Sequence, residues 1–336
     1  MNGMPLGSLK LRVAVEQWPL IAPFRITGYT WRELDVVVVS LEKEGHVGRG
    51  EAAGVYYRQD TPEVALRKIE SLRKSIESEI SRDSLQSFLP PGCARNALDC
   101  ALWDLEAKLT GHPAWQIAGL ERPKRLLTTM TCSAETPEKM AATAARYAQA
   151  RAIKLKLTGE SADAERVLAV RAARQDVWLG VDANQGFTRE FMQWIMPVLI
   201  EARVQLIEQP FPIGQESLLD GFQSPIPIAA DESVQSLEDI PALVGRFSVA
   251  NIKLDKCGGL TEGLAMARIL RELGLEVMVG NMFGTSLAMA PAFLLGQLCK
   301  IVDLDGPVSL KADRAITVDY IGGYIRCPEA LWGNAV

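Results

Sequence analysis

Five short apolar runs between Ala152 and Lys253 end on charge, and they recur about once per strand-plus-helix unit. Ala152-Ile-Lys-Leu-Lys156 carries two lysines. Val177-Trp-Leu-Gly-Val-Asp182, Val204-Gln-Leu-Ile-Glu208 and Ile226-Pro-Ile-Ala-Ala-Asp231 each end on a carboxylate, and Val249-Ala-Asn-Ile-Lys253 returns to lysine. The carboxylates are 26 and then 23 residues apart. Three carboxylates at corresponding ends of successive parallel strands converge on one point, with lysines on either side of it.

The same rhythm runs on in both directions. Strands are predicted near 127–132, 152–157, 177–182, 204–208, 226–231, 249–254, 276–280 and 301–305, with helix starts such as Thr136-Pro137-Glu138 between them. Eight strands with intervening helices in about 180 residues fit a closed (β/α)8, TIM-like barrel better than an open sheet. Before Leu126 the order is different. Residues 9–52 read as antiparallel sheet with a turn at Gly45, followed by helices from Thr61-Pro62-Glu63 to about Ser78 and from Ala94 to Thr110. Strands followed by helices, without alternation, indicate an α+β unit. The fold class is therefore α/β: an α+β domain over 1–125, a modified barrel over 126–308, and a segment over 309–336. That last segment, with β-like residues at Ala315-Ile-Thr-Val318, is expected to return to the first domain.

Composition narrows the function classes. A net charge of −5 with no basic run argues against a nucleic-acid surface. No apolar run reaches the ~18 residues that cross a bilayer, and Met1 to Leu11 lacks the apolar core of a signal peptide. Six scattered cysteines without a C-x-x-C pair read as reduced thiols of a cytoplasmic protein. The two histidines, His46 and His112, both precede the charged ladder, so a His–Asp dyad is excluded as the base.

Lys154 and Lys156 are i and i+2 on a strand and share its inward face, while Ile153, Leu155 and Leu157 face the helices. Asp182, Glu208 and Asp231 are hard oxygen donors with no soft ligand nearby, which selects Mg2+ or Mn2+ over zinc. The bland alternative is three strand-end caps paired with the lysines. Lys156 lies one strand before the carboxylates and Lys253 one strand after, so the two face each other across the metal. Lys256, three residues on, is expected at the rim. A divalent ion between opposed lysines suits abstraction of a proton α to a carboxylate, with Lys154 as a neighbouring cation that lowers the pKa of Lys156. Asp303 and Asp305 form a second i, i+2 pair suited to a cationic group on the substrate, or alternatively a capped strand end before Gly306-Pro307.

These residues resemble the enolase superfamily, in its muconate lactonizing enzyme subgroup. The resemblance runs essentially end to end and rests on Lys154-Leu-Lys156, Val181-Asp-Ala-Asn184, Ile207-Glu-Gln-Pro210, Ala230-Asp-Glu-Ser233 and Asn251-Ile-Lys253. Within the subgroup the chain is most similar to dipeptide epimerases of the L-Ala-D/L-Glu type, through the stretches Ala94–Asp104, Asn251–Lys256 and Asp303–Pro307. The resemblance implies that Asp182, Glu208 and Asp231 bind one Mg2+, with Mn2+ as a substitute. Lys156 and Lys253 would be the two bases of a 1,1-proton transfer at the C-terminal residue of a dipeptide, and Lys154 would assist electrostatically. Asp303 and Asp305 would hold the free ammonium of the dipeptide. The first domain would cap the barrel, with loops near 22–31 and 54–60 shaping the pocket for the second side chain. No nucleic acid or membrane partner is implied, and a homo-oligomer stays open.

One departure bears on specificity. Glutamate-specific members place an arginine five or six residues beyond the proline of a Pro-Phe pair in the first loop. Here Pro23-Phe24 is followed by Gly28 and Tyr29 at those places. Arg25, Arg32 or Arg58 are the candidate replacements, while Tyr56 and Tyr57 suit an apolar or aromatic partner. The rival readings are an N-acylamino-acid racemase, an o-succinylbenzoate synthase or a muconate-type cycloisomerase of the same subgroup, and a barrel that binds without turnover.

Overall fold

In the computed structural model, which describes residues 9–78 and 80–335, three antiparallel strands open the chain: β1 (Lys10–Ile26), β2 (Tyr29–Lys43) and β3 (His46–Ala52). Their order is β1-β2-β3, and the β1–β2 hairpin is paired from Lys10↔Glu42 to its tip at Ile26↔Tyr29. The segment expected as a loop near 22–31 is therefore mostly hairpin. Glu44 and Gly45 both take left-handed backbone (φ 52 and 80), which makes the tight return into β3.

The helix predicted from Pro62 to Ser78 is broken at Leu72 into Pro62–Ser71 and Arg73–Ser78. Thr61 caps its start, its hydroxyl accepting the Val64 N–H at 3.3 Å. Cys93–Thr110 is the long helix expected from the sequence, ending at left-handed Gly111 (φ 67). It packs on β2 and β3 through a core that includes Val37, Val39, Leu41, Leu98, Leu102 and Leu105.

The next strands are β4 (Leu126–Leu127), β5 (Thr129–Cys132), β6 (Ala152–Lys156), β7 (Trp178–Asp182), β8 (Leu206–Glu208), β9 (Ile228–Ala230), β10 (Val249–Ile252), β11 (Glu276–Val279) and β12 (Ile301–Val302). Strands β5 to β12 form one parallel sheet in sequence order. The exception is β4. It was expected to be part of the first barrel strand, but it pairs instead with the terminal hairpin of β13 (Asp319–Ile321) and β14 (Tyr324–Arg326). That hairpin replaces the strand expected at 315–318, which has no regular structure. Further on, the Trp332 indole donates to the carbonyls of Arg49 (3.0 Å) and Cys100 (3.1 Å).

Period-two alternation sorts the barrel side chains. Ile153, Leu155, Leu179, Val181, Ile207, Ile252 and Val279 join the core between sheet and helices. The opposite set points inward. At its base Leu206, Ala229, Val249 and Met278 pack with Trp178 and Ile301 into a separate apolar plug. Above that plug the inward side chains are polar or charged, apart from Gly180 and Gly280, which have none. Among the described residues β5 and β12 share no backbone pairing, and side chains bridge this seam. Leu304 N–H donates to the Thr128 hydroxyl (3.0 Å), Thr131 N–H to Asp305 Oδ2 (2.6 Å), and the Thr129 hydroxyl to Asp303.

Candidate active site

Asp182, Glu208 and Asp231 come together at the C-terminal ends of β7, β8 and β9, each offering a carboxylate oxygen within 4.8 Å of the others. All three are buried. The sheet register sets Asp182 beside Glu208, and Asp231 follows two residues beyond Ala229, the partner of Glu208. Gln209 adds a local brace. Its side-chain oxygen accepts the N–H groups of Asp231 (2.9 Å) and Ser233 (3.1 Å), and its own backbone is left-handed (φ 36).

The lysines are bound to this triad. Lys156 donates to Asp182 Oδ2 at 2.5 Å and Lys253 to Asp231 Oδ2 at 2.6 Å. Lys154 lies deeper, 3.2 Å from Glu208 Oε2 and in contact with Asp303. Burial alone would lower the Lys154 pKa, but the carboxylates of Asp303, Glu208 and Asp182 outweigh it and hold the group well above an ordinary lysine. It is a fixed cation. Lys253 is raised in the same way, burial being overcome by Asp231 and Glu208. Burial and the Asp182 charge push Glu208 up to about 7. Asp231 is held low, since its two lysines outweigh its burial.

Lys256 is not at the rim. The strand ends at Ile252, and Leu254–Cys257 makes one helical turn that swings Lys256 back beneath the site. There it is buried and donates to Asp231 Oδ1 (2.5 Å), the Asp231 carbonyl (2.6 Å) and the Asn251 carbonyl (3.1 Å). The expectation assumed a continuing strand, and the Lys253-to-helix transition removes that premise. Gly280, beside this turn, leaves the room. A Cβ there would lie 2.7 Å from Asn251 Oδ1 and 3.0 Å from Lys253 Cε.

Three buried oxygens around the triad lack a hydrogen-bond partner: Asn184 Oδ1, Asn251 Oδ1 and Glu232 Oε2. Orphaned acceptors beside three carboxylates, with no sulfur or imidazole donor among them, fit a hard divalent cation and its waters. Burial and the charges of Asp231 and Asp182 push Glu232 up to about 8. Sequence reasoning missed Asn184, Asn251 and Glu232 as members of the site. Asn251 was legible, since it sits two residues before Lys253 on the same inward face, whereas Asn184 lies past the end of β7 on left-handed backbone (φ 41).

The cavity above the lysines, about 60 Å3, is bounded on one side by Asp303 and Asp305 and on the other by the cap. Burial and Asp303 push Asp305 up to about 6, whereas Asp303 is lowered because Lys154 outweighs its burial. The cap contributes Phe24, Ile26, Trp31 and Tyr56. Two expected contacts are not brought to this lining. Arg25 is about half exposed and lies 3.5 Å from Glu135. Tyr57 turns away and accepts the Gln235 amide at 2.8 Å. Neighbours on a short 3-10 turn, Tyr56–Arg58, point in different directions, so Tyr56 faces the cavity in place of Tyr57. Cap and barrel are locked close by. Asp255 Oδ1 accepts the N–H groups of Ala53 and Gly54, both at 2.8 Å, and Glu51 accepts Thr285 N–H at 2.7 Å.

A capped parallel barrel with a carboxylate triad between opposed lysines defines a metal-assisted proton-transfer barrel. Residues 8–119 match the mandelate racemase / muconate lactonizing enzyme N-terminal domain, and residues 139–318 match the enolase C-terminal domain-like family. The chain belongs to this family. It is 39% identical over 315 residues to the L-Ala-D/L-Glu epimerase of Escherichia coli (strain K12), covering 93% of this chain and 98% of that one. An enolase family member from Agrobacterium tumefaciens with homology to dipeptide epimerases, solved with bound sodium and L-Ala-L-Glu, superposes with a TM-score of 0.93. It is 38% identical, over 97% of this chain and 100% of that one. The dipeptide epimerase from Methylococcus capsulatus, complexed with Mg and L-Arg-D-Lys, has a TM-score of 0.89 and 29% identity, covering 95% of this chain and 96% of that one.

Proposed function

We propose that this protein is a Mg2+-dependent dipeptide epimerase, an isomerase that inverts the α-carbon of the C-terminal residue of a dipeptide. The observation that carries the reading is the buried Asp182–Glu208–Asp231 triad with Lys156 and Lys253 bound to its two flanks. Asp182, Glu208 and Asp231 would hold the ion, which when bound supplies positive charge opposite the substrate carboxylate as the α-proton leaves.

The chain's own groups account for the rest. Lys156 and Lys253 reach the cavity from strands on opposite sides of the triad, so one removes the α-proton and the other delivers a proton to the opposite face. Lys154 stays protonated and adds fixed positive charge beneath the reacting carbon. Asp305 and, in part, Asp303 receive the free ammonium. The aromatic cap residues exclude water while the carbanionic charge is present.

Among the described residues no helix is long and apolar enough to cross a membrane. All six cysteines are free, which supports a reducing, cytoplasmic setting. The decisive experiment incubates dipeptides with the Mg2+-loaded enzyme in deuterated water. Deuterium at the C-terminal α-carbon, abolished by EDTA and restored by Mg2+, is the expected result. Absence of exchange on every dipeptide would overturn the reading.

A further inference from the structure

We infer that the epimerised residue carries an apolar or aromatic side chain, and that glutamate is a poor substrate. This rests on the dipeptide epimerase reading and fixes the substrate class of the same cavity. With the substrate carboxylate at the triad, the α-carbon between Lys156 and Lys253 and the ammonium at Asp303 and Asp305, one wall is left for the side chain. That wall is Phe24, Ile26, Trp31, Tyr56, Met282 and Phe283.

Four of those six are aromatic and contact one another. Phe24 and Phe283 meet edge to face with centroids 4.9 Å apart, and Trp31 lies 5.1 Å from Tyr56 and 5.7 Å from Phe283. Such a panel offers ring faces and edges to an apolar group. It offers no cation. Among the described residues the cavity's only basic side chains are Lys154, Lys156 and Lys253, all already committed to carboxylates. Arg25 is turned out onto Glu135, and Arg58 donates to Gln235 at 3.2 Å. The remaining polar groups at the wall, Tyr56, Asn281 and Ser309, are neutral.

A γ-carboxylate placed there would lose its hydration without gaining a charged partner. The far side of the same wall makes matters worse for an anion. Trp31, Tyr56, Met282 and Phe283 also line a neighbouring hollow of about 190 Å3 whose other residues include Glu33, Asp35, Asp60 and Glu63. Trp31 is the specificity-determining residue in this arrangement, being central to the panel and next to the hairpin tip.

The test is a competition in deuterated water with the Mg2+-loaded enzyme, using L-Ala-L-Phe, L-Ala-L-Leu, L-Ala-L-Glu and L-Ala-L-Lys, repeated with Trp31→Arg. The expected result is a kcat/KM for the phenylalanine or leucine dipeptide about 100-fold above that for glutamate, with the ratio collapsing or reversing in Trp31→Arg. A merely structural role for Trp31 would lower all four substrates together. Equal or better turnover of L-Ala-L-Glu by the unmodified enzyme overturns the specificity and leaves the epimerase reading intact. Preference for L-Ala-L-Lys also overturns it, in favour of the carboxylates behind the wall. No exchange on any dipeptide removes the epimerase reading itself.

Discussion

Lys256 Nζ lies 2.5 Å from Asp231 Oδ1 and 2.6 Å from the Asp231 carbonyl oxygen, so one lysine holds both the side chain and the backbone of a triad carboxylate. Lys253 takes the other carboxylate oxygen. Replacing Lys256 with Met leaves the Asp231 carbonyl with the Val234 N–H alone and its buried carboxylate half paired. A stability loss of about 3–5 kcal/mol is expected, read as a lower urea midpoint. Calorimetric titration with Mg2+ should also show weaker binding, because Asp231 is then held only by Lys253 and the Gln209 brace. An unchanged midpoint would mean that Lys256 is dispensable.

Lys156→Ala and Lys253→Ala should each reduce epimerisation by about 10²–10⁴-fold. Each variant should still exchange the α-proton of one enantiomer, the one served by the remaining base. Proton NMR in deuterated water, started separately from the L,L and L,D dipeptides, distinguishes the two. Exchange of both enantiomers in either single variant would rule out a two-base mechanism.

Asp303 and Asp305 separate by role. Asp303 pairs with Lys154 and Thr129 across the barrel seam, whereas Asp305 meets the Thr131 N–H and the cavity. Asp303→Asn should cost stability, on the order of 3 kcal/mol, because Lys154 loses a buried counter-charge. Asp305→Asn should instead lower kcat/KM on dipeptides by about 10–100-fold, the loss of one charge-assisted hydrogen bond. If Asp305→Asn left dipeptide turnover unchanged, the ammonium would have to bind elsewhere.

Asp255 links stability to pH. Burial raises its carboxyl from 3.8 to about 7, against the opposing N–H groups of Gly54 and Ala53. A carboxyl raised in the folded state binds more protons there than when unfolded. Its contribution is therefore complete below pH 4 and is lost as pH rises towards 7. The loss is at most about 4 kcal/mol. Asp255→Asn keeps an oxygen for both N–H groups and removes the titration. Relative to the unmodified protein, the variant's melting temperature should rise progressively from pH 5 to pH 8. A constant difference would show that Asp255 does not titrate in this window.

Much of the site was readable because it obeys a local period. Lys154 and Lys156, Asn251 and Lys253, Asp303 and Asp305 are i, i+2 pairs, and alternation alone assigns them to one face of a strand. The repeat of charged strand ends marked the barrel and the order of its carboxylates. Lys256 was misread because a strand became a helical turn one residue after Lys253, and no residue between them announces the change. Tyr56 and Tyr57 could not be ranked, since neighbours on a turn diverge by an angle that only the backbone sets.

The chain by itself determined the strands, the inward-facing charges and their order around the barrel, because period, apolarity and spacing are local properties. Tertiary structure alone decided which oxygens are orphaned around the triad. It also decided that Arg25 faces Glu135 and that Phe24, Trp31, Tyr56 and Phe283 meet over the lysines. Those residues are separated by up to hundreds of positions, and their meeting depends on how the cap docks on the barrel through Asp255 and Glu51.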